Sequence, residues 1–322
     1  MKIAVLDDWH RIARASADWA PLQARAEVVF YTTPFADEEA AARELAGYDI
    51  VLAVRERTPF PCSLVSRLPR LRMFGLTGNR AAQIDIAGMI DRGITVCYTS
   101  GGPSVASTAE LALGLMLAAA RSIPAGDAAV RAGRFQQGTA AGSVLAGKTI
   151  GLIGLGRIGA LMARYCRALD MEVLAWSPNL TAARAVAANA VFADKGDLLT
   201  RADVVSMHLV LSDRTRGVLG AAELALMKPG AILVNTSRAP LVDEQALVSA
   251  VQAGRLIAAV DVYRREPVQA DYPLNASANT VLTPHLGYSV REVYAEYFQQ
   301  SVENALAFLD GKPIRVLDKP GY

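Results

Sequence analysis

Cysteine and histidine are both scarce, with three of each in 322 residues. Cys62, Cys97 and Cys166 are odd in number and far apart, which excludes a disulfide framework and a zinc-ligand pattern. They read instead as reduced thiols in core positions, with no metal expected. An excess of charge of one sign is also missing. A net charge of +2, without any run of five basic residues, leaves no footprint for nucleic acid or an acidic membrane. Charged residues make up only 20% against 52% hydrophobic, a balance that excludes a disordered chain. The longest apolar segment, residues 111–120, is too short to cross a bilayer. Residues 1–7 read as a strand running into a turn and not as a signal peptide. These absences predict a cytoplasmic protein, and the length allows two domains of ordinary size.

What is present centres on residues 149–159, Thr-Ile-Gly-Leu-Ile-Gly-Leu-Gly-Arg-Ile-Gly. An apolar run of strand type breaks into Gly154-x-Gly156-x-x-Gly159 and passes into a segment with helical apolar spacing. In a dinucleotide fold the first glycine permits the tight turn and the second lets the backbone approach a pyrophosphate. The third lets helix pack close to strand. The helix N-terminus then offers unpaired N–H groups to phosphates. Strand, glycines and helix stand in the required order, and a second strand follows at 172–175.

The first hundred residues alternate short apolar strands (2–6, 27–31, 50–54, 72–76, 95–97) with helices near 16–25, 37–46, 63–68 and 84–92. Such alternation predicts a parallel sheet covered on both faces. Two loops at strand ends, Arg55 to Pro59 and Thr77 to Arg80, stand where ligands bind in such sheets. Arg55 and the Thr77-Gly78 backbone are read as functional; Arg57 and Arg80 are read as solvated. Residues 99–103 form a linker. Residues 104–121 form a helix apolar on nearly every side, expected to be buried all round between domains or subunits, and a homodimer is expected through this region. A further helix is expected at 124–134. Residues 148–284 carry six strands (149–153, 172–175, 204–207, 232–235, 257–260, 280–282). Helices fit at 157–169, 194–201, 221–227 and 243–253 between them, suiting a doubly wound nucleotide-binding sheet. A long helix at 290–309 and a short strand at 314–316 close the chain. The domain reading is a dinucleotide-binding domain at 103–287 inserted into a substrate domain of residues 1–102 and 288–322.

Three stretches carry side chains that a sheet does not need. Arg238 follows the apolar strand ending at Asn235, where its planar fork can grip a carboxylate or carbonyl oxygen. Asp261 ends another strand, and Glu266 lies in the loop after it. His285 follows a third strand. A carboxylate beside a histidine orients the ring and favours imidazolium. Together, Arg238 would hold and polarise a 2-oxo acid, His285 would protonate the forming alkoxide and Glu266 would keep His285 charged. His208 is read as lining the coenzyme cleft or as structural, and His10 has no supporting context.

With GLGRIG, NTSRAPLVDE, DVYRREP and TPHLG in this order, the chain resembles the D-isomer-specific 2-hydroxyacid dehydrogenase family over essentially its whole length. The resemblance implies two doubly wound parallel-sheet α/β domains, a Rossmann domain inserted into a flavodoxin-like substrate domain, closing on substrate as a homodimer. It gives Arg238, Glu266 and His285 the catalytic roles and Asp261 the nicotinamide carboxamide. It places Gly154, Gly156, Gly159, Arg157 and Ile158 at the pyrophosphate, Thr236 near the nicotinamide, and Arg55, Thr77 and Gly78 at the substrate. The implied reaction transfers a hydride between NAD or NADP and a small D-2-hydroxy acid or 2-oxo acid, such as 3-phosphoglycerate, glyoxylate or hydroxypyruvate. An NAD(H)-binding corepressor-like protein of the same fold is the alternative. Formate oxidation is disfavoured, because that branch has glutamine where Glu266 stands.

Three departures from the family pattern stand out. Where an NAD-selecting acid is expected, the chain reads Trp176-Ser177-Pro178-Asn179, and Ser177 takes the selector position. No arginine follows directly, and Arg184 is the nearest downstream. The loop from Leu76 to Ala82 lacks the usual Gly-x-Asp-Asn, and Val210 replaces a usual proline. The chain ends soon after its last strand, which predicts no C-terminal regulatory extension.

Overall fold

The structure, a computed structural model, describes residues 1–78 and 83–318. Arg80, expected in a solvated turn, lies outside the described residues. The chain divides into two compact units, Met1–Pro103 with Val290–Tyr322, and Ser104–Ser289.

The first unit holds β1 (Lys2–Val5), β2 (Glu27–Phe30), β3 (Ile50–Ala53), β4 (Met73–Leu76) and β5 (Thr95–Tyr98). They pair in parallel in the order β2-β1-β3-β4-β5, the flavodoxin-like winding. β3 and β4 are buried at every position, as strands covered by helices on both faces must be. Phe60 and Phe74 meet edge to face at 4.8 Å in its core.

The second unit holds β6 (Thr149–Ile153), β7 (Glu172–Trp176), β8 (Val191–Phe192), β9 (Val204–Met207), β10 (Ala231–Asn235), β11 (Leu256–Val260) and β12 (Thr280–Leu282). Their parallel order is β12-β11-β10-β9-β6-β7-β8, which reverses between β6 and β9 in the Rossmann manner. Register levels the carboxyl ends. Ile153 pairs with both Trp176 and Met207, Asn235 with both Met207 and Val260, and Val260 with Leu282. The residues immediately after these strands therefore share one edge of the sheet.

Several expectations are corrected. The expected 16–25 helix is two short ones, Ala13–Ser16 and Ala20–Gln23, because Pro21 tolerates only the first turn of a helix. The 314–316 strand reduces to one bridge between Val316 and Cys97, since Arg315 at φ +50° breaks the extended run. The second sheet has seven strands, not six; β8 and the Ala182–Ala187 helix are too short to show a period. The Ser104–Ala120 helix is covered only in part by its own unit. Ala109, Ala112, Leu115, Met116 and Ala119 pack into the core, whereas Leu111, Leu113 and Leu117 are only partly covered. Cys97 and Cys166 are buried as expected, but Cys62 is exposed. Among the described residues no single helix is long and apolar enough to cross a membrane.

Phe74→Ala should destabilise the protein by about 3–5 kcal/mol, because Phe74 is fully buried and its ring would leave a cavity. Denaturant unfolding followed by circular dichroism measures this.

Candidate active site

Gly154, Ser177, His208, Thr236, Asp261 and Thr283 each stand one residue beyond a strand on the levelled edge. The three glycines serve distinct ends. Gly154 has φ +106°, and a Cβ there would lie 2.7 Å from the backbone of His208. At Gly159 a Cβ would lie 2.2 Å from the Gly154 carbonyl oxygen, so these two positions are demanded by packing. Gly156 is different, since its Cβ would meet nothing within 4 Å. Packing does not require glycine there, and the space beside it is open. Gly156 caps the Arg157–Ala168 helix without any side-chain hydrogen bond. Its first-turn N–H groups remain available to an anion. Arg157 is exposed at that end, and Ile158 turns back against the core.

The turn opens on a cavity of about 410 Å³ lined by Gly154, Gly156, Ser177, Arg184, His208 and Arg214 among others. Burial pushes His208 down to about 4, which leaves it neutral, and its Nε2 pairs with Ser206 Oγ at 2.9 Å. Thr236 supplies a second sign of a ligand, because its Oγ1 is buried and has no hydrogen-bond partner among the described residues. An uncapped helix N-terminus, an open Cβ position and an orphaned hydroxyl fit a dinucleotide. Arg214 was not singled out from the sequence. Nothing in its local sequence marks it; it matters only because its loop follows β9, which lies beside β6 where strand order reverses.

The three chemistry-bearing side chains meet on the same edge. His285 Nδ1 lies 2.6 Å from Glu266 Oε2. Glu266 Oε1 accepts from the Tyr263 N–H at 2.9 Å. Burial raises the Glu266 carboxyl, but the His285 hydrogen bond and charge, the Tyr263 amide and the Arg238 charge outweigh it and hold the pKa below its ordinary value. Arg238 is thus close enough to act on Glu266 electrostatically. Its loop is tied down by Asn235, whose Nδ2 donates to the Arg238 carbonyl at 3.1 Å and whose Oδ1 accepts from the Ser237 N–H at 3.0 Å.

Asp261, placed at the nicotinamide carboxamide by resemblance, has no exposed surface. Its carboxylate accepts from Thr283 Oγ1 at 2.6 Å and from the Leu286 and Gly287 N–H groups at 2.7 and 2.9 Å. Burial raises its carboxyl pKa despite these donors and the charge of His285. From the other side, Ser107 and Thr108 hydroxyls donate to the Gly287 carbonyl at 2.8 and 2.9 Å. His285 itself sits at φ +56°. A non-glycine residue in that region is strained and must be held there.

In the first unit, Arg55 is also left-handed, at φ +55°. Its N–H donates to Thr77 Oγ1 at 2.7 Å, and its guanidinium lies over Gly78, where a Cβ would come within 2.2 Å of Nη1. The Gly78 N–H donates to Thr99 Oγ1 at 3.1 Å. Arg57, read from sequence as solvated, is instead anchored. It donates to the Asp7 carbonyl at 2.7 Å and the Tyr294 hydroxyl at 2.9 Å, and it stacks on Trp9. His10 lies beside the Tyr294 ring at 5.7 Å, and burial with the Arg57 charge lowers its pKa.

Fold and site define a protein with a dinucleotide-binding α/β unit. The family model described as "D-isomer specific 2-hydroxyacid dehydrogenase, NAD binding domain" matches residues 113–287, and the chain belongs to that family. It is 38% identical over 278 residues to a D-3-phosphoglycerate dehydrogenase of Archaeoglobus fulgidus, covering 86% of this chain and 52% of the relative. The chain thus spans about half the length of that relative. It is 31% identical to a hydroxypyruvate reductase of Blautia hydrogenotrophica, across 99% of this chain and 100% of the relative. A crystal structure of a phosphoglycerate oxidoreductase from Vibrio cholerae superposes with a TM-score of 0.91 at 36% identity, covering 97% of this chain and 99% of that one.

Gly156→Ala should leave stability within about 1 kcal/mol of wild type while weakening dinucleotide binding. Gly159→Ala should lose about 1–3 kcal/mol, because its Cβ collides with backbone. Thermal unfolding and calorimetric titration separate the two.

Proposed function

We propose that this chain catalyses reversible hydride transfer between a nicotinamide dinucleotide and a small D-2-hydroxy acid or its 2-oxo acid. One observation carries the reading: the His285–Glu266 pair at 2.6 Å, within the field of Arg238, on the same sheet edge as the glycine turn. When bound, the reduced coenzyme supplies the hydride. The chain's own residues handle everything else. Glu266, kept ionised, accepts from Nδ1 of His285, so that Nε2 is the nitrogen left to exchange a proton with substrate oxygen. In reduction Nε2–H protonates the oxygen that becomes alkoxide; in oxidation neutral Nε2 takes the hydroxyl proton. Arg238 grips the carboxylate or polarises the carbonyl. Asp261 positions His285 by clamping its turn. Arg55 and the Thr77-Gly78 loop receive the acid group, with Arg55 favouring a second anionic group such as a phosphate.

The names of the relatives, D-3-phosphoglycerate dehydrogenase and hydroxypyruvate reductase, support a small 2-oxo acid. Neither name favours the regulatory alternative. The domain roles follow, with Ser104–Ser289 holding coenzyme and the other unit holding substrate. A homodimer is supported by the half-covered Leu111, Leu113 and Leu117 and by exposed Ile123, Val130, Phe135 and Val144 in the segment after them. Three free thiols suit the cytoplasm.

His285→Ala should lower turnover about 10²–10⁴-fold with coenzyme affinity retained, measured as NADH and NADPH oxidation across a panel of 2-oxo acids. Unchanged turnover removes His285 from the mechanism. Glu266→Gln should lower turnover, because a neutral amide no longer balances the imidazolium that gives its proton to substrate oxygen. Phe135→Glu should shift the solution mass toward monomer in sedimentation analysis.

A further inference from the structure

We propose that the cavity between the loops after β6, β7 and β9 selects a coenzyme whose adenosine ribose carries a 2′-phosphate, gripped by Arg184 and Arg214. The inference rests on reading the glycine turn as a dinucleotide site. In this topology a carboxylate about twenty residues past the last glycine bonds the ribose 2′-hydroxyl, and a nearby arginine accommodates a 2′-phosphate. Here β7 ends at Trp176 and neutral Ser177 follows. Among the described residues no aspartate or glutamate lines the cavity.

Two arginines line it instead, from separate segments of the chain. Arg184 belongs to the Ala182–Ala187 helix, capped by Thr181. Its Nη1 donates to the Asn179 carbonyl at 3.2 Å, which holds the side chain over the loop that follows β7. Arg214 belongs to the turn after β9. That turn is pinned, because Thr215 Oγ1 donates to the Val210 carbonyl at 2.7 Å and accepts from the Ser212 N–H at 2.8 Å. Neither arginine forms an ion pair among the described residues. Ser177, Asn179 and Ser212 add neutral hydrogen-bonding groups to the same lining. The glycine turn lies in that lining too, so a pyrophosphate there leaves the adjoining ribose facing these groups. Two cations without a competing carboxylate favour a dianion strongly over a hydroxyl. Arg214 and Arg184 are thus the specificity-determining residues of the coenzyme site.

Calorimetric titration of the full chain with adenosine 2′,5′-bisphosphate and with 5′-AMP tests this, since the two differ only in the 2′-phosphate. The bisphosphate should bind about tenfold tighter or more, and its advantage should shrink as salt rises. Arg214→Ala and Arg184→Ala should each cut the affinity ratio several-fold, and the double variant should bring it to about one. Ser177→Asp, at a different position, should also lower the ratio and shift binding toward NADH in fluorescence titrations. Equal affinity of the wild type for the two mononucleotides overturns the inference, as does a double variant that keeps the ratio. If folded wild-type chain binds NADH and NADPH without discrimination, only the inference falls. If it binds neither, the dinucleotide reading falls with it.

Discussion

A carboxylate with no exposed surface holds the site together. Asp261 accepts three hydrogen bonds from the turn that follows β12, and that turn carries His285 in a left-handed conformation. A buried charge is costly unless satisfied, and an unusual backbone angle is costly unless held, at about 1–3 kcal/mol. Each offsets the other here. The turn supplies the donors that Asp261 needs, and Asp261 supplies the restraint that keeps His285 where Glu266 can reach it. The Gly287 carbonyl, held by Ser107 and Thr108, closes the clamp from the Ser104–Ala120 helix.

Sheet register sets everything else at the site. Because Ile153, Trp176, Met207, Asn235, Val260 and Leu282 end level, six loops emerge side by side. The first residue of each loop inherits its position from hydrogen-bonded strands buried in the core. The electrostatics follow from that placement. His285, an amide and the Arg238 charge hold the Glu266 carboxyl below its ordinary pKa, whereas burial keeps His208, on the same edge and paired with Ser206, neutral.

The residues proposed for the chemistry were legible in the sequence. Arg238, Glu266 and His285 stand out because sheets need none of them at strand ends, and the glycine spacing states its own context. Arg214 was not legible, since its loop has neither motif nor period and matters only because β9 lies next to β6. Arg57 was misjudged for a related reason. A charged residue in a turn reads as solvated, and only the fold brings Asp7, Trp9 and Tyr294 around it. The separate purposes of the glycines were read from the motif, and the structure adds that a Cβ would strike nearby backbone at Gly154 and Gly159 and meet nothing within 4 Å at Gly156.

Apolar alternation, glycine spacing and the order of strands and helices are local properties, and they sufficed for the two doubly wound sheets and for the residue types at the reactive edge. Strand order, register and the company each side chain keeps are not local. They depend on pairings between segments distant in the chain, so tertiary structure alone decided that β9 would lie beside β6, that Asp261 would be sealed inside its own turn, and that two arginines would share one cavity wall.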